Sequence, residues 1–513
     1  MNIYKYILFA ITLVSFTSCF EDESTDATNP ISEIIINESN LEKVYNLPKN
    51  DTLRIEPKVT QTNKELPLSY VWELNQEIVS TDKNFCYVGE TLGTFNGRLI
   101  VENEDGKAFF TFTLNVNSPY EYGITVLSKD TDNRPHISFM QETMKEGDVS
   151  SFYMENCLEK NNPEQFFASN PSDIVQTKGS LIVACQGNNS DDDGAAIYFL
   201  NEKTFVMENI VETKEYKTFK PTKLFTPSES YDGVDYPVLS TDGKMYSLPT
   251  YNAVLQPSHK LLSTYAQTGF VVGESASQND IIVWDKEVNG LVLIYNNYGP
   301  YYCGKKYLLE RDSLLTDTEY TNKFKPLQNI RKLLPIHLTS EQKRTSKQEL
   351  LVIADNNKNV LKAKIATFFW EPVAGSYGKY NLLDNGGFKV ANKSKKYSLI
   401  NENTPCIANA TYQTMLFPDG NKVMRWFYWK AELENVNHYL EDADELLTVG
   451  SDDAIITSFE ISEDHTKTYV AFYEPDQEGK NGSVWVFETN TGKVLEQYDN
   501  VCYQPVKMIY KKK

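Results

Sequence analysis

The stretch IITSFEISEDHTKTYVAFYEPDQEGKNGSVWVFETNTGKVLEQY, residues 455–498, decides the fold of this chain. Residues with high strand propensity, mainly Ile, Val, Phe, Tyr and Trp, fill four short runs in it. Charged, Asn and Gly residues, which favour turns, separate these runs. Short turns join antiparallel neighbours, so the stretch predicts four antiparallel strands, the content of one propeller blade. The predicted strands are Ile455–Ile461, Thr468–Tyr473, Ser483–Phe487 and Val494–Tyr498.

Weaker copies of this unit recur upstream. Their spacing of about 45 to 55 residues is that of blades and predicts a β-propeller of seven or eight blades over residues 119–513. A second large β-sandwich and a β-helix remain alternatives. Charged segments with helical patches, such as Leu327–Leu334, predict insertions between blades at about 304–348 and 430–449. The copies include Ser180–Cys185, Pro237–Leu248, Ile281–Asp285, Leu350–Asp355 and Tyr412–Pro418.

Residues 31–118 are predicted to form a separate all-β unit. In Phe110–Val116 every second residue is apolar, which is the period of a strand with one buried face. Turn formers such as Asn103–Gly106 separate the runs. Several short strands within this span predict an immunoglobulin-like sandwich, with Trp72 as its core tryptophan.

Composition and charge exclude several classes of protein. The chain has 513 residues, with 70 acidic and 50 basic side chains and a net charge of −20. This acidity argues against nucleic-acid partners, which require a basic patch. Apolar residues at 41% and charged residues at 23% indicate a folded rather than a disordered protein. The length predicts two or more domains.

The N-terminus has the features of a bacterial lipoprotein signal. Lys5 precedes the apolar run Tyr6–Phe16, which is too short to span a bilayer as a helix. Small residues and then Cys19 follow, and they resemble a lipobox, so residues 1–18 are predicted to be a signal peptide and Cys19 to be lipidated. Residues 19–30 are a tether that begins with an acidic cluster and resembles the surface-export signal of Bacteroidetes lipoproteins. This predicts the outer membrane, facing the cell exterior; a plain signal peptide and a tether on the periplasmic side are the alternatives.

Six further cysteines are spread along the chain. No two of them form a CxxC pair, so zinc and thioredoxin-type chemistry have no support. An even number in an exported chain permits disulfides, but the wide spacing and the apolar surroundings predict buried thiols for most. These residues are Cys86, Cys157, Cys185, Cys303, Cys406 and Cys502.

No catalytic motif is found in the sequence. It lacks the nucleophile elbow of α/β-hydrolases, the paired-histidine helix of zinc proteases and the glycine-rich phosphate loops. Its five histidines are isolated from one another. A glycosidase needs only two carboxylates, so that class of enzyme remains open. We therefore predict no catalytic residue.

One acidic loop is a weak candidate for a metal site. Residues 188–194 read NNSDDDG, and Asp191, Asp192 and Asp193 could supply oxygen ligands to calcium. The spacing does not match the twelve-residue calcium loop, so a solvated hairpin loop is the alternative. No other cofactor is expected.

Two aromatic segments are candidates for ligand binding. Residues 425–430 read RWFYWK, and on a strand they would present aromatic rings on both faces. Residues 295–302 read YNNYGPYY and predict a tyrosine-rich loop. Exposed rings stack on sugars or peptide side chains, whereas core packing and a folded-over loop are the alternatives. The candidate contacts are Trp426, Tyr428, Trp429, Tyr298, Tyr301 and Tyr302.

Tyr70–Leu74, followed later by Asp105 and Gly106, resembles the PKD-like domains of surface proteins. Together with the lipobox and the propeller-like remainder, the chain looks like the PKD-like family lipoproteins found beside SusC/SusD-type importers of the outer membrane. The resemblance implies an accessory lipoprotein that captures a glycan or peptide for import, and it implies no catalytic residue. A docking subunit without a ligand of its own and a carboxylate-dependent polysaccharide-degrading enzyme are the alternatives.

Overall fold

The computed structural model describes the chain in segments. They are residues 30–142, 152–177, 179–188, 190, 193–213, 216–225, 235–241, 243, 245–249, 256–257, 265–272, 280–285, 290–295, 305–308, 330–339, 347–355, 361–371, 379–389, 399–428, 440 and 443–512. The chain divides into two compact units, Met1–Pro119 and Tyr120–Lys513. Strands dominate both units.

The first unit contains nine strands in its described residues. A five-stranded sheet has the order β2-β9-β8-β5-β6, and two further ladders pair β1 with β4 and β3 with β7. A single 3-10 turn, Glu38–Asn40, follows β1. The strands are β1 (Ile34–Asn37), β2 (Val44–Pro48), β3 (Thr52–Ile55), β4 (Lys58–Gln61), β5 (Ser69–Leu74), β6 (Glu77–Ser80), β7 (Phe85–Val88), β8 (Gly93–Asn103) and β9 (Gly106–Asn117).

Trp72 on β5 lies at the centre of the first unit's core. Its side chain is fully buried, and its ring stacks on Phe85 of β7 at a centroid distance of 4.7 Å. The indole N–H donates to the carbonyl of Asp82 at 3.0 Å, so its polar atom is satisfied. On β9 the buried side chains alternate with accessible ones, as the sequence period predicts.

In its described residues, the second unit consists of strands and one short helix, α1 (Cys157–Asn161). Its first strands are β10 (Gly123–Lys129), β11 (Pro135–Gln141), β12 (Phe152–Met154), β13 (Pro171–Thr177), β14 (Ser180–Cys185), β15 (Ala196–Asn201), β16 (Met207–Glu212), β17 (Pro221–Leu224), β18 (Asp235–Ser240), β19 (Met245–Pro249), β20 (Gln256–Pro257), β21 (Tyr265–Val272), β22 (Asp280–Asp285), β23 (Gly290–Tyr295) and β24 (Lys305–Leu308). The remaining strands are β25 (Ile330–His337), β26 (Lys347–Asp355), β27 (Leu361–Glu371), β28 (Lys379–Lys389), β29 (Ile407–Asn409), β30 (Thr414–Asp419), β31 (Lys422–Phe427), β32 (Asp444–Thr448), β33 (Ile455–Ile461), β34 (Lys467–Tyr473), β35 (Gly482–Glu488), β36 (Val494–Cys502) and β37 (Gln504–Lys511).

Within the described segments these strands form seven antiparallel groups of four, which we call blades. Blades 2 to 7 each take four consecutive strands, from β13–β16 to β33–β36, whereas blade 1 has the order β12-β11-β10-β37. The C-terminal strand β37 thus completes a blade that begins the unit, and it also contacts β13 and β33 of the two flanking blades. Strands β25 and β29, which begin blades 5 and 6, pair in parallel. The predicted all-β, propeller-like architecture is confirmed.

The segment predicted as a long insertion contains strands of two blades. Residues 304–348 include β24 and β25, and the patch Leu327–Leu334, predicted to be helical, overlaps β25. Leu334 and Ile336, two positions apart on β25, are buried in one cluster between blades 5 and 6, and this is strand periodicity. Pro335 between them also disfavours a helix interior. Likewise, the end of segment 430–449 forms β32.

Candidate functional site

The aromatic segment of blade 6 belongs to the core. Trp426 is fully buried and Tyr428 is 2% exposed, and both pack in the cluster between blades 5 and 6. The Tyr428 hydroxyl donates to the carbonyl of Asn409 at 3.0 Å. The prediction that these two rings contact a ligand is therefore wrong, because β31 lies between β30 and β32 and its Trp426 face packs against blade 5.

Seven other predicted site residues lie outside the described residues. These are Cys19, Asp191, Asp192, Tyr298, Tyr301, Tyr302 and Trp429. Asp193 is described and is 6% exposed, and its carboxylate accepts the backbone N–H of Ser169 at 2.8 Å. Among the described residues, no group of three or more His, Cys, Asp or Glu side chains is placed to hold a metal. Calcium at this loop stays a prediction.

The described cysteines are free thiols, as expected for most of them. Cys157, Cys185 and Cys502 are buried, whereas Cys86 is exposed. Burial raises the pKa of Cys157 and of Cys502 to about 12. These thiols stay protonated near neutral pH and are poor nucleophiles.

Among the described residues, a polar site lies in a cleft between blade 1 and blade 7, which we call the interblade cleft. Its cavity volume of about 20 Å³ gives room for about one water molecule. Aliphatic side chains form the floor of the cleft and charged side chains its rim. The lining residues are Ile124, Met140, Gln141, Glu142, Lys467, Tyr469, Val484, Val486, Glu496 and Tyr498.

The strand registers of the two blades place these side chains opposite one another. In blade 7, Tyr469, Val486 and Glu496 are direct partners across β34, β35 and β36. In blade 1, Met140 and Tyr510 are the partners of Ile124 on either side of β10. Because residues in register share a sheet face, each blade presents one row of side chains to the cleft.

A network of hydrogen bonds ties the rim together. Lys467 Nζ lies 2.6 Å from Glu142 Oε1, and the Tyr510 hydroxyl donates to Glu142 Oε2. The Tyr498 hydroxyl donates to Glu496 Oε2. Both oxygens of Glu142 and one oxygen of Glu496 are thereby used, and the rim is held in one geometry.

Tyr469 is the exception in this network. Its side chain is 4% exposed, and its hydroxyl has no hydrogen-bond partner among the described residues. Burial and the negative charge of Glu142 raise the pKa of Tyr469 far above its usual range, so the phenol stays neutral. An unsatisfied buried hydroxyl costs about 1–3 kcal/mol. This hydroxyl therefore requires a water molecule or a polar group of a ligand.

Three groups in the cleft, on Tyr469, Lys467 and Glu496, can form further hydrogen bonds. The Tyr469 hydroxyl can donate or accept, and Lys467 retains protons beyond its bond to Glu142. Within the described residues, Glu496 Oε1 remains available as an acceptor. A group that both donates and accepts, as an alcohol hydroxyl does, can satisfy these atoms together.

The cleft was not predicted from the sequence, although a signal for it exists. Lys467 and Tyr469 on β34, like Glu496 and Tyr498 on β36, are polar or phenolic at alternate positions of strands that face another blade. Such positions normally carry aliphatic residues when both faces of a sheet are covered. Polar residues at these positions therefore indicate a polar site within the buried interface between two blades.

A second ionisable cluster lies at the start of β11. His136 Nε2 is 3.1 Å from Asp130 Oδ2, and its Nδ1 forms an ion pair with Glu159 of α1. Burial lowers the pKa of His136, but the interactions with Glu159 and Asp130 outweigh burial and raise it above 6.5. The two carboxylates occupy both ring nitrogens, so this cluster joins α1 to blade 1.

Comparison with known proteins gives fold-level similarity only. No protein-family profile and no curated protein matches the chain. A quinonprotein alcohol dehydrogenase-like protein from Bacteroides thetaiotaomicron is 13% identical, with 94% of this chain and 100% of that chain covered and a TM-score of 0.42. A hypothetical selenium-binding protein from Sulfolobus tokodaii is 12% identical, with coverages of 77% and 94% and a TM-score of 0.41. Apo AztD from Citrobacter koseri is 10% identical, with coverages of 87% and 100% and a TM-score of 0.35.

These similarities assign no activity to the chain. In the described part of the chain, no helix combines the length and the apolar character that crossing a bilayer requires.

Proposed function

We propose that the chain is an outer-membrane surface lipoprotein, anchored through Cys19, that captures a hydroxyl-bearing glycan or peptide for a SusC/SusD-type importer. The observation that carries the binding part of this proposal is the buried hydroxyl of Tyr469 in the interblade cleft, which has no hydrogen-bond partner in the part of the chain that the structure describes. The anchoring part depends on the lipobox-like sequence that ends at Cys19.

The chemistry of the cleft favours a hydroxyl ligand over an apolar one. The rim offers the Lys467 ammonium as a donor, the Glu496 carboxylate as an acceptor and the Tyr469 hydroxyl as either. Sugars present many hydroxyls, and peptides present them on Ser and Thr side chains. Because the cleft holds about one water, it admits a single such group while the rest of the ligand lies over the rim.

The architecture suits a capture role. In this proposal the first unit is a PKD-like, immunoglobulin-like sandwich around Trp72 that separates the lipid from the second unit. The second unit is a seven-bladed propeller closed by β37, which holds the ligand site on rigid strands. Attachment of many copies to one membrane raises the local concentration of a captured polymer near a transporter.

The same cleft bears on the two alternative functions, a polysaccharide-degrading enzyme and a docking subunit without a ligand. Glu142 and Glu496 lie in one cleft with tyrosines, and paired carboxylates of this kind are used by polysaccharide-degrading enzymes. A space of about 20 Å³ holds a water rather than a sugar ring, which favours binding over turnover. A docking subunit without a ligand would leave the Tyr469 hydroxyl to water alone.

The test is a glycan and peptide array probed with the full chain in detergent, with calorimetry on the best ligand. Tyr469→Phe is expected to lower the affinity about ten-fold, because one hydrogen bond is worth about 1.4 kcal/mol. Tyr153→Phe is the matched control, because Tyr153 is 43% exposed and lies on β12 outside the cleft. A blank array, or equal affinities for the three proteins, would contradict the binding role. Turnover of a polysaccharide that is lost in Glu142→Gln would instead indicate the enzyme.

The anchoring part has its own test. Cys19→Ala is expected to release the protein from the membrane fraction, and the native form is expected to be accessible to protease added to intact cells. A Cys19→Ala protein that stays with the membrane, or a native protein that is protected from the protease, would refute the surface-lipoprotein assignment.

A further inference from the structure

The two carboxylates of the interblade cleft differ in their partners. Glu142 is paired with the Lys467 ammonium at 2.6 Å, and it also accepts the Tyr510 hydroxyl. Glu496 accepts the Tyr498 hydroxyl, and among the described residues no cationic side chain forms an ion pair with it. Glu496 is therefore a half-buried carboxylate without a counter-ion from the described part of the chain.

This difference sets the charge of the cleft. Its ten lining residues include one ammonium and two carboxylates, so their formal charge is 1 − 2 = −1. The Lys467 ammonium neutralises Glu142, and the remaining negative charge therefore belongs to Glu496. A carboxylate that is partly removed from water is stabilised by a nearby cation.

The phenols at the cleft offer acceptors more than donors. Tyr498 and Tyr510 each direct their hydroxyl proton onto a glutamate, so their oxygens can only accept a further hydrogen bond. The Tyr469 ring centroid lies 6.0 Å from that of Tyr510, and the Tyr469 hydroxyl has no partner among the described residues. Because Tyr469 is buried and lines the cavity, its hydroxyl indicates where a polar group of the ligand enters.

An ammonium beside a hydroxyl complements this arrangement. An ammonium has three donor protons, a positive charge and no acceptor, so it can pair with the free oxygen of Glu496. A neighbouring hydroxyl can bond to Tyr469 and accept a proton of Lys467 that Glu142 does not use. An alcohol alone would leave Glu496 without a counter-ion, and a carboxylate on the ligand would be repelled by it.

We propose that the ligand of the interblade cleft carries a protonated primary amine next to a hydroxyl, as an unacetylated amino sugar of a glycan does, with the ammonium paired to Glu496 and the hydroxyl bound to Tyr469. This inference rests on the binding role proposed for the cleft and names its class of ligand. A sugar is favoured over a peptide because its ring holds an amine and a hydroxyl on adjacent carbons, whereas a peptide adds backbone amides that need partners of their own.

The experiment uses three tetrasaccharides with the same β-linked backbone, which differ only in the substituent on the second carbon of each ring. The glucosamine tetramer carries an ammonium there, the N-acetylglucosamine tetramer a neutral amide and cellotetraose a hydroxyl. Binding is measured by calorimetry on the full chain in detergent, at constant ionic strength and at a pH at which the amine is protonated. The glucosamine tetramer is expected to bind at least about ten-fold more tightly than the other two, because its hydrogen bond to Glu496 is charge-assisted.

Two variants separate a specific ion pair from the general acidity of the chain. Glu496→Gln is expected to reduce the preference for the glucosamine tetramer over cellotetraose to within about three-fold, because the amide keeps an acceptor but loses the charge. Glu77→Gln, at an exposed position on β6 of the first unit, is the matched control, since it removes the same charge elsewhere and should keep the preference. The comparison of the three sugars needs no variant, so it decides the question even if Glu496→Gln fails to fold.

The outcomes separate this inference from the function on which it rests. If cellotetraose binds as tightly as the glucosamine tetramer and Tyr469→Phe weakens both, the cleft captures glycans but the amino-sugar inference is wrong. The same preference in wild type and Glu496→Gln would also overturn it. A peptide that binds through the cleft while the glucosamine tetramer does not would replace the amino sugar with a peptide. A blank for every sugar and peptide would refute the binding role itself.

Discussion

Trp72 in the first unit and Tyr469 in the second are both large aromatic residues with one polar atom, buried among apolar side chains. The indole N–H of Trp72 donates to the Asp82 carbonyl at 3.0 Å, whereas the Tyr469 hydroxyl has no partner among the described residues. Buried polar atoms are nearly always hydrogen-bonded. The first residue is therefore part of a completed core, and the second marks a place where the protein is complete only with water or a ligand.

The two units differ in how their strands are covered. On β9 of the first unit, buried and accessible residues alternate, because one sheet face meets the core. On β34 of the second unit five consecutive residues are buried, because a blade packs against a neighbour on each face. A polar side chain on such a strand cannot turn to solvent. Its hydrogen-bond partners, or their absence, therefore show whether the site is complete without water or a ligand.

The largest effect is expected from removing Trp72, whose polar atom is hydrogen-bonded within the core. Trp72→Ala should lower the free energy of unfolding of the first unit by about 3–5 kcal/mol, because it leaves a large cavity beside Phe85. Trp72→Phe, which keeps a ring but loses the hydrogen bond to Asp82, should cost less. Hydrogen exchange of β5 and β8 by mass spectrometry measures both. Unchanged protection in Trp72→Ala would show that this residue is not central to the core.

A smaller effect of opposite sign is expected at the cleft. Without ligand, Tyr469→Phe should stabilise the second unit by about 1 kcal/mol, because it removes a buried hydroxyl that has no partner among the described residues and that is satisfied only by immobilising a water molecule. Tyr498→Phe, which breaks the bond to Glu496, should destabilise it by about the same amount. Calorimetric melting of the two variants tests the contrast. Equal losses in both would mean that the Tyr469 hydroxyl is already satisfied in the protein.

The smallest effect is a pH dependence at His136. Its pKa is raised above 6.5 in the folded protein, so its protonation contributes stability that is complete below pH 6.5 and is lost as the pH rises through the folded-state pKa. The Tm should therefore fall as the pH is raised from 6 to about 8. His136→Gln should remove this part of the slope. A slope that is the same in wild type and variant would exclude His136 as its source.

Local patterns in the sequence predicted much of the fold. Period-two alternation identified β9, and runs of strand-forming residues between turn residues identified β33–β36, because both signals are local in the sequence. The helical prediction for Leu327–Leu334 failed, because several adjacent apolar residues are compatible with a strand covered on both faces. The same ambiguity applied to Trp426, since its pattern cannot tell an inner strand from an exposed one.

The candidate site could not be assembled from the sequence. Glu142 and Lys467, whose side chains meet at 2.6 Å, are 325 positions apart. That contact exists because β37 pairs with β10 of blade 1 and contacts β33 and β34 of blade 7, and no local period carries this information. Asp173 and Lys507, 334 positions apart, meet for the same reason.

Calorimetry of the best array ligand with wild type, Tyr469→Phe and Tyr498→Phe tests the central claim most directly. The account predicts about ten-fold weaker binding for Tyr469→Phe, together with the higher melting temperature of its ligand-free form. If Tyr469→Phe binds as tightly as the wild type, the interblade cleft is not where the ligand is held.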